Sequence, residues 1–201
     1  MAKKKVHAPR KDAAKAAKKK TRKGAGRARP KAAVRASSPA AVKAAAVANF
    51  AWVHQMLDGL LDSVPSDKLT FQPAPTDNHA LWTIGHLATA YSWFASLIDG
   101  KHATLPDTYN ALFGYKSVPV GDASIYPHVA EIKRHYTAAY KRLTDAIAAL
   151  KPTDMNKPTV AESHGFASSR LDAIHKAAWH DGWHSGQISS IRRALSLPPM
   201  M

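Results

Sequence analysis

Residues 179–187 read WHDGWHSGQ. Inside a helix, His180 and His184 stand four positions apart, and at ~100° per residue such a pair lies on one face, within reach of a single metal ion. Gln187, three positions further on, is about 60° around from His184 and borders the same face. Two histidines do not fill a coordination sphere, so a third ligand has to come from elsewhere in the chain.

The helix that carries this stretch is predicted to start with Ser168 or Ser169 as its cap, with Asp172 a first-turn acid favourable to the dipole, and to run to about Leu195, before Pro198-Pro199. Ala178, Gly182, Gly186 and Ser190 recur every four residues along it, roughly opposite the histidines. Two glycines inside a helix cost about 1 kcal/mol each relative to alanine. The stripe therefore predicts a closely packed neighbouring helix, in the same chain or in a dimer partner.

Three more helices precede it. Ser38-Pro39 is a cap followed by proline at the first helical position. Val42, Val47, Phe50, Val53, Leu57, Leu60, Leu61 and Val64 then follow at helical spacing, predicting an amphipathic helix of about 25 residues that ends before Pro65. His54 lies beside that stripe with no ligand partner three or four residues away, and reads as a boundary histidine. The second helix is expected from about His79 to Asp99, capped by Asp77 or Asn78 and closed by Gly100. His86 lies within it among apolar neighbours, either as a hydrogen-bonded core residue or as a ligand. The third is expected over about Ser124–Leu150, with Pro127 in its first turn, and His128 and His135 reading as structural. Residues 101–123 form a long connection whose Tyr109, Leu112, Phe113 and Tyr115 are costly to leave in water and are expected to pack over one end of the core. With no β-type alternation, internal repeat or glycine-rich phosphate loop, the fold class is all-α, a four-helix bundle.

The chain's 201 residues include no cysteine, which excludes disulfides, thiolate zinc sites and a cysteine nucleophile; any metal is held by nitrogen and oxygen. The net charge of +15 is unevenly spread. Residues 1–45 hold 16 Lys and Arg against the single acid Asp12, whereas residues 46–201 hold 13 basic and 13 acidic side chains. Residues 1–37 thus read as a disordered Lys/Arg/Ala-rich tail, and 38–201 as the folded domain. The tail resembles the lysine- and alanine-rich tails of linker histones and bacterial nucleoid proteins, and counterion release would let it contact DNA, RNA or an anionic membrane surface without sequence preference. No apolar run reaches the ~20 residues of a membrane span and no secretory h-region follows the N-terminus, so the expected location is cytoplasmic, with nucleoid association through the tail.

His86 from the second helix, with His180 and His184 from the fourth, supplies three imidazoles that facing helices aim at one interior point, leaving positions open for water or substrate. WTIGHLA around His86, Leu112-Phe113-Gly114, and HxxxHxGQI over residues 180–188 followed by RRALSLPP together resemble the DinB-like superfamily across about residues 40–199. The resemblance implies an up-down-down-up bundle, often dimeric, and a divalent metal, commonly zinc or nickel, on His86, His180 and His184. Gln187 and Asp181 are candidate residues behind those ligands. It further implies a metal-dependent enzyme, a transferase acting with a low-molecular-weight thiol or a hydrolase, the thiol being diffusible because the chain has none. The rival expectation is a non-catalytic stress-related bundle tethered to nucleic acid by its tail.

Overall fold

A computed structural model describes residues 37–200. The basic tail falls almost wholly outside the described residues. Five helices and no strand occur among those residues: α1 (Pro39–Asp62), α2 (Ala80–Asp99), the short α3 (Tyr109–Phe113), α4 (Val129–Ala149) and α5 (Arg170–Ala194). None of them is long and apolar enough to cross a membrane.

Local chemistry sets the ends of the long helices. The Ser38 hydroxyl accepts from the Ala41 amide with Pro39 in the first turn, and the Ser169 hydroxyl accepts from the Asp172 amide at the start of α5. Gly100 closes α2 in the left-handed region at φ 83°, where a side chain would be strained. The α2 cap is neither Asp77 nor Asn78. His79 takes that place, its Nδ1 accepting from the Trp82 amide at 3.1 Å while its Nε2–H donates to the Val120 carbonyl at 3.0 Å. The expected start of α4 is also corrected. Residues 123–125 form a separate 3-10 turn, Pro127 lies before the helix, and His128 caps it by accepting from the Ala130 amide.

One core joins the four long helices. α2 packs against α4 and α5, and α1 packs against α5. Phe50, Leu57, Ile84, Leu87, Tyr91, Phe94, Ile132, Leu143 and Ile174 are fully buried among them. The connection between α2 and α4 contributes Tyr109 and Phe113 to this core, but Tyr115 is 89 % exposed, against the expectation that it would pack inward. At the other connection, the Val160 and Ala161 amides donate to the Leu97 and Ser96 carbonyls and so satisfy the last turn of α2.

Two glycines behave oppositely. A Cβ at Gly85 would overlap the Phe113 ring, which lies directly on the α2 backbone. Around Gly186 nothing lies within 4 Å, and Gly182 meets only the Val53 side chain at ordinary contact distance. Gly182, Gly186 and Ser190 are exposed, so within the chain the small-residue stripe does not receive a close helix. Gly85→Ala is expected to destabilise the protein by about 1–3 kcal/mol in urea unfolding through overpacking. Gly186→Ala is expected to raise stability by about 0.5–1 kcal/mol, since the helix gains propensity with no steric charge against it.

Candidate metal centre

The three histidines meet. His86 on α2 and His180 and His184 on α5 each offer one nitrogen, and these atoms all lie within 4.8 Å of one another. His86 Nε2 is 3.2 Å from His180 Nε2, and His184 Nε2 is 3.3 Å from that same atom. Tetrahedral ligation with metal–nitrogen bonds of about 2.0–2.1 Å sets ligand nitrogens about 3.3–3.4 Å apart, so the donor set fits a divalent ion.

Each ring is held by a different device. The His86 Nδ1–H donates to the Phe113 carbonyl at 2.8 Å, which leaves its Nε2 bare. That carbonyl is delivered by the long connection, which runs antiparallel along α2. His79 bonds to Val120, the Trp82 indole N–H donates to Ser117 Oγ at 3.0 Å, and His86 bonds to Phe113. Trp82 also stacks on the His86 ring at 4.5 Å and 8°. The absence of a side chain at Gly85 lets the Phe113 end of this lacing approach.

On α5 the His184 Nδ1–H donates to Gln187 Oε1 at 2.8 Å, and Asn78 Nδ2 donates to the same oxygen at 3.2 Å. Gln187 thus stands behind a histidine and is itself oriented, the arrangement that fixes ring tautomer at metal sites. His180 has no such anchor: its buried Nδ1 finds no partner among the described residues. If His180 Nε2 is bare, three lone pairs converge and repel; if it carries the proton, Nδ1 is a buried acceptor without a donor. A cation between the Nε2 atoms removes the repulsion and leaves only one orphan N–H.

Burial holds the imidazoles neutral. Desolvation, with the charge of His184 and His86 opposing a second cation, drives His180 from 6.5 to about 2. His184 falls to about 3 through burial and then the neighbouring His86. His86 is lowered by burial, partly offset by its bond to the Phe113 carbonyl. Neutral imidazole is the ligating form.

Asp181 sits elsewhere from the three rings. It is 0 % exposed and accepts from the Tyr91 hydroxyl at 2.9 and 3.0 Å, with His54 Nδ1 at 3.4 Å. Burial raises its carboxyl above the usual range, against the lowering effect of His54 and Tyr91. His54 is correspondingly no boundary residue. It is buried, stacked on Tyr140 at 3.4 Å, and its Nε2 faces Asp58 at 3.3 Å. Asp58, four residues along the same helix, was the legible signal for that cluster.

The sequence model of the DinB superfamily matches residues 13–188. The chain belongs to the DinB superfamily. No curated protein matches it.

The pH dependence of stability has a definite sign. The folded values of the three imidazoles lie below the ordinary value near 6.5, so the unfolded chain binds more protons between those limits. The stability they contribute is present above pH about 6.5 and is lost as pH falls toward their folded values. Asp181, raised in the fold, acts in the opposite direction. Metal-free protein should therefore lose more stability between pH 7 and pH 5 than a His180→Leu, His184→Leu variant, as read by urea unfolding.

Proposed function

We propose that the chain is a divalent-metal protein, and in its reactive form a metal-dependent transferase or hydrolase, with His86, His180 and His184 as ligands. The observation that carries this reading is the convergence of the three Nε2 atoms at 3.2 and 3.3 Å, two of them backed by Nδ1–H donation to Phe113 and Gln187. Nitrogen-only ligation favours zinc or nickel over calcium or magnesium, which prefer oxygen. When bound, such an ion lowers the pKa of a coordinated water or thiol and supplies a nucleophile near neutral pH.

The chain's own groups hold that site ready. Burial keeps the imidazoles unprotonated, the Phe113 carbonyl and Gln187 fix two ring orientations, and Trp82 shields one face of His86 from water. Asp181 serves as a positioning residue through α5 rather than through a bond to any of the three rings. The reaction is read as transfer to or from a low-molecular-weight thiol, or hydrolysis, since the chain has no thiol of its own. The four long helices are read as an up-down-down-up bundle, with residues 38–201 its domain.

Elemental analysis and calorimetry on protein purified without a histidine tag test the metal reading. About one divalent ion per chain is expected, lost in His180→Ala. Gln187→Leu should weaken binding by about 10- to 100-fold, since a residue behind a ligand is removed while the ligand stays. Protein that takes up no zinc or nickel contradicts the reading.

The second reading concerns the tail, and rests on the 15 Lys and Arg against the single acid Asp12 over residues 1–37. It tethers the protein to nucleic acid through phosphate contacts. Retention on DNA should fall steeply between about 50 and 200 mM salt and vanish when residues 1–37 are removed, as followed by fluorescence anisotropy.

A further inference from the structure

The outward faces of α1 and α5 are unlike that of α4, which turns Lys133, Arg134, Lys141 and Asp145 to solvent. α1 has no Lys, Arg, Asp or Glu between Lys43 and Asp58. On α5, between Lys176 and Arg192, there is only Asp181, and it is buried. The two helices pack side by side and run parallel, His54 lying level with Asp181 and Ser63 level with Arg192. Val53 meets the α5 backbone at Gly182 along their seam. At ~100° per residue, Ala45, Trp52 and Met56 of α1 and Trp179, Gly186 and Ser190 of α5 then project from one side of the pair.

This side of α5 is complementary to itself. Asp172, Trp179, Gly186 and Arg193 recur every seven residues, two turns apart on one face. Trp179 lies 5.6 Å from Trp183 and 6.3 Å from Phe166, ring centre to ring centre, so the two indoles form a ridge. Gly186 is a hollow, with nothing within 4 Å of where a Cβ would stand. A two-fold axis between Gly182 and Trp183, with the helices antiparallel, sets Trp179 over Gly186 of the partner subunit and Trp183 beside Gly182 of the partner subunit. The same axis sets Arg193 opposite Asp172 of the partner subunit. The Arg193 guanidinium donates to Ser190 Oγ at 3.0 Å and meets no carboxylate among the described residues. Asp172 accepts from Ser168 and pairs with Lys176, and a carboxylate has room for a further donor.

We propose that two copies of the chain associate through this side, α5 antiparallel to α5, the Trp179–Trp183 ridge of each seated on the glycine backbone of the other and Trp52 flanking it. Trp52, Trp179 and Trp183 are 61 %, 53 % and 58 % exposed. They alone offer about 250–450 Å² of mostly apolar surface, a third to a half of the ~800 Å² per partner of a stable interface. The uncharged stretches of α1 and α5 around them, each about 20 Å long, extend it. The centre of the face gives a charged partner no countercharge. None of the three candidate ligands is used, so the association stands or falls apart from the metal reading. The propensity gain expected for Gly186→Ala belongs to the single chain; in the pair, a side chain at 186 lifts the opposing indole off the backbone.

Sedimentation velocity on the full-length chain at micromolar concentrations tests this, and a dimer that dissociates on dilution is expected. Trp179→Ala with Trp183→Ala should raise its dissociation constant about 30-fold or more, as removal of central aromatic anchors does. Gly186→Leu should weaken it comparably, with circular dichroism showing the helices intact. The chain has no cysteine, so register can be read by cross-linking. His175→Cys and Ser190→Cys proteins, mixed and oxidised, should form a disulfide-linked pair, because the two-fold axis sets these positions opposite each other. Neither variant alone should do so, since each position then lies about 20 Å from its own copy. A wild-type monomer at every concentration overturns the proposal, as does a dimer indifferent to both the tryptophan and the glycine substitutions. So does a dimer lost only when residues 1–37 are removed, or one in which the single-cysteine proteins cross-link as readily as the mixture.

Discussion

A single buried carboxylate sets the rotation of α5, and the candidate site depends on that rotation. Asp181 is fully enclosed and bonded to Tyr91 of α2, with His54 of α1 beside it. An uncompensated buried charge costs several kcal/mol, so α5 cannot turn Asp181 away from those partners cheaply. With Asp181 fixed inward, His180 and His184 fall on the neighbouring arc that faces His86. The same rotation leaves Trp179, Gly182, Trp183 and Gly186 together on the exposed side of the helix. The cluster around Asp181 draws on all four long helices, through His54 and Asp58, Tyr91, Tyr136 and Asp181 itself, with the Tyr136 hydroxyl donating to Asp58 at 2.5 Å.

Three neutral imidazoles pointed at one spot are not a resting arrangement for a core. Burial excludes protons from them, and bonds at Nδ1 of His86 and His184 turn both bare nitrogens toward His180. The protein thus uses two separate segments, the α2–α4 connection and the Asn78–Gln187 pair, to hold lone pairs together. Folding energy spent in this way is recovered only by a cation or a shared proton at the centre.

The four long helices were legible because their apolar spacing and their serine, proline and glycine ends are local signals. Ser38, Ser169 and Gly100 occupy the positions their chemistry predicts. Caps built from histidine were not legible: His79 and His128 accept backbone bonds in places where aspartate or asparagine is the common choice. The neighbouring Asn78 goes instead to Gln187. The meeting of His86 with His180 and His184 was readable from helix period and resemblance, but its anchors were not. A backbone carbonyl at Phe113 has no sequence signature, and the Gly85–Phe113 contact that brings it close spans 28 positions in sequence. The small-residue stripe receives no close helix from its own chain, because periodicity records spacing and says nothing about which surface has a neighbour.

The central claim is that His86 and His184 carry their protons on Nδ1 and present bare Nε2 atoms to His180. Nitrogen-15 NMR of the imidazole rings in metal-free protein at neutral pH reads this directly. The account predicts Nδ1–H tautomers for His86 and His184, with all three Nε2 resonances shifting when one equivalent of zinc is added. Nε2–H tautomers at His86 and His184, or resonances indifferent to zinc, would contradict it.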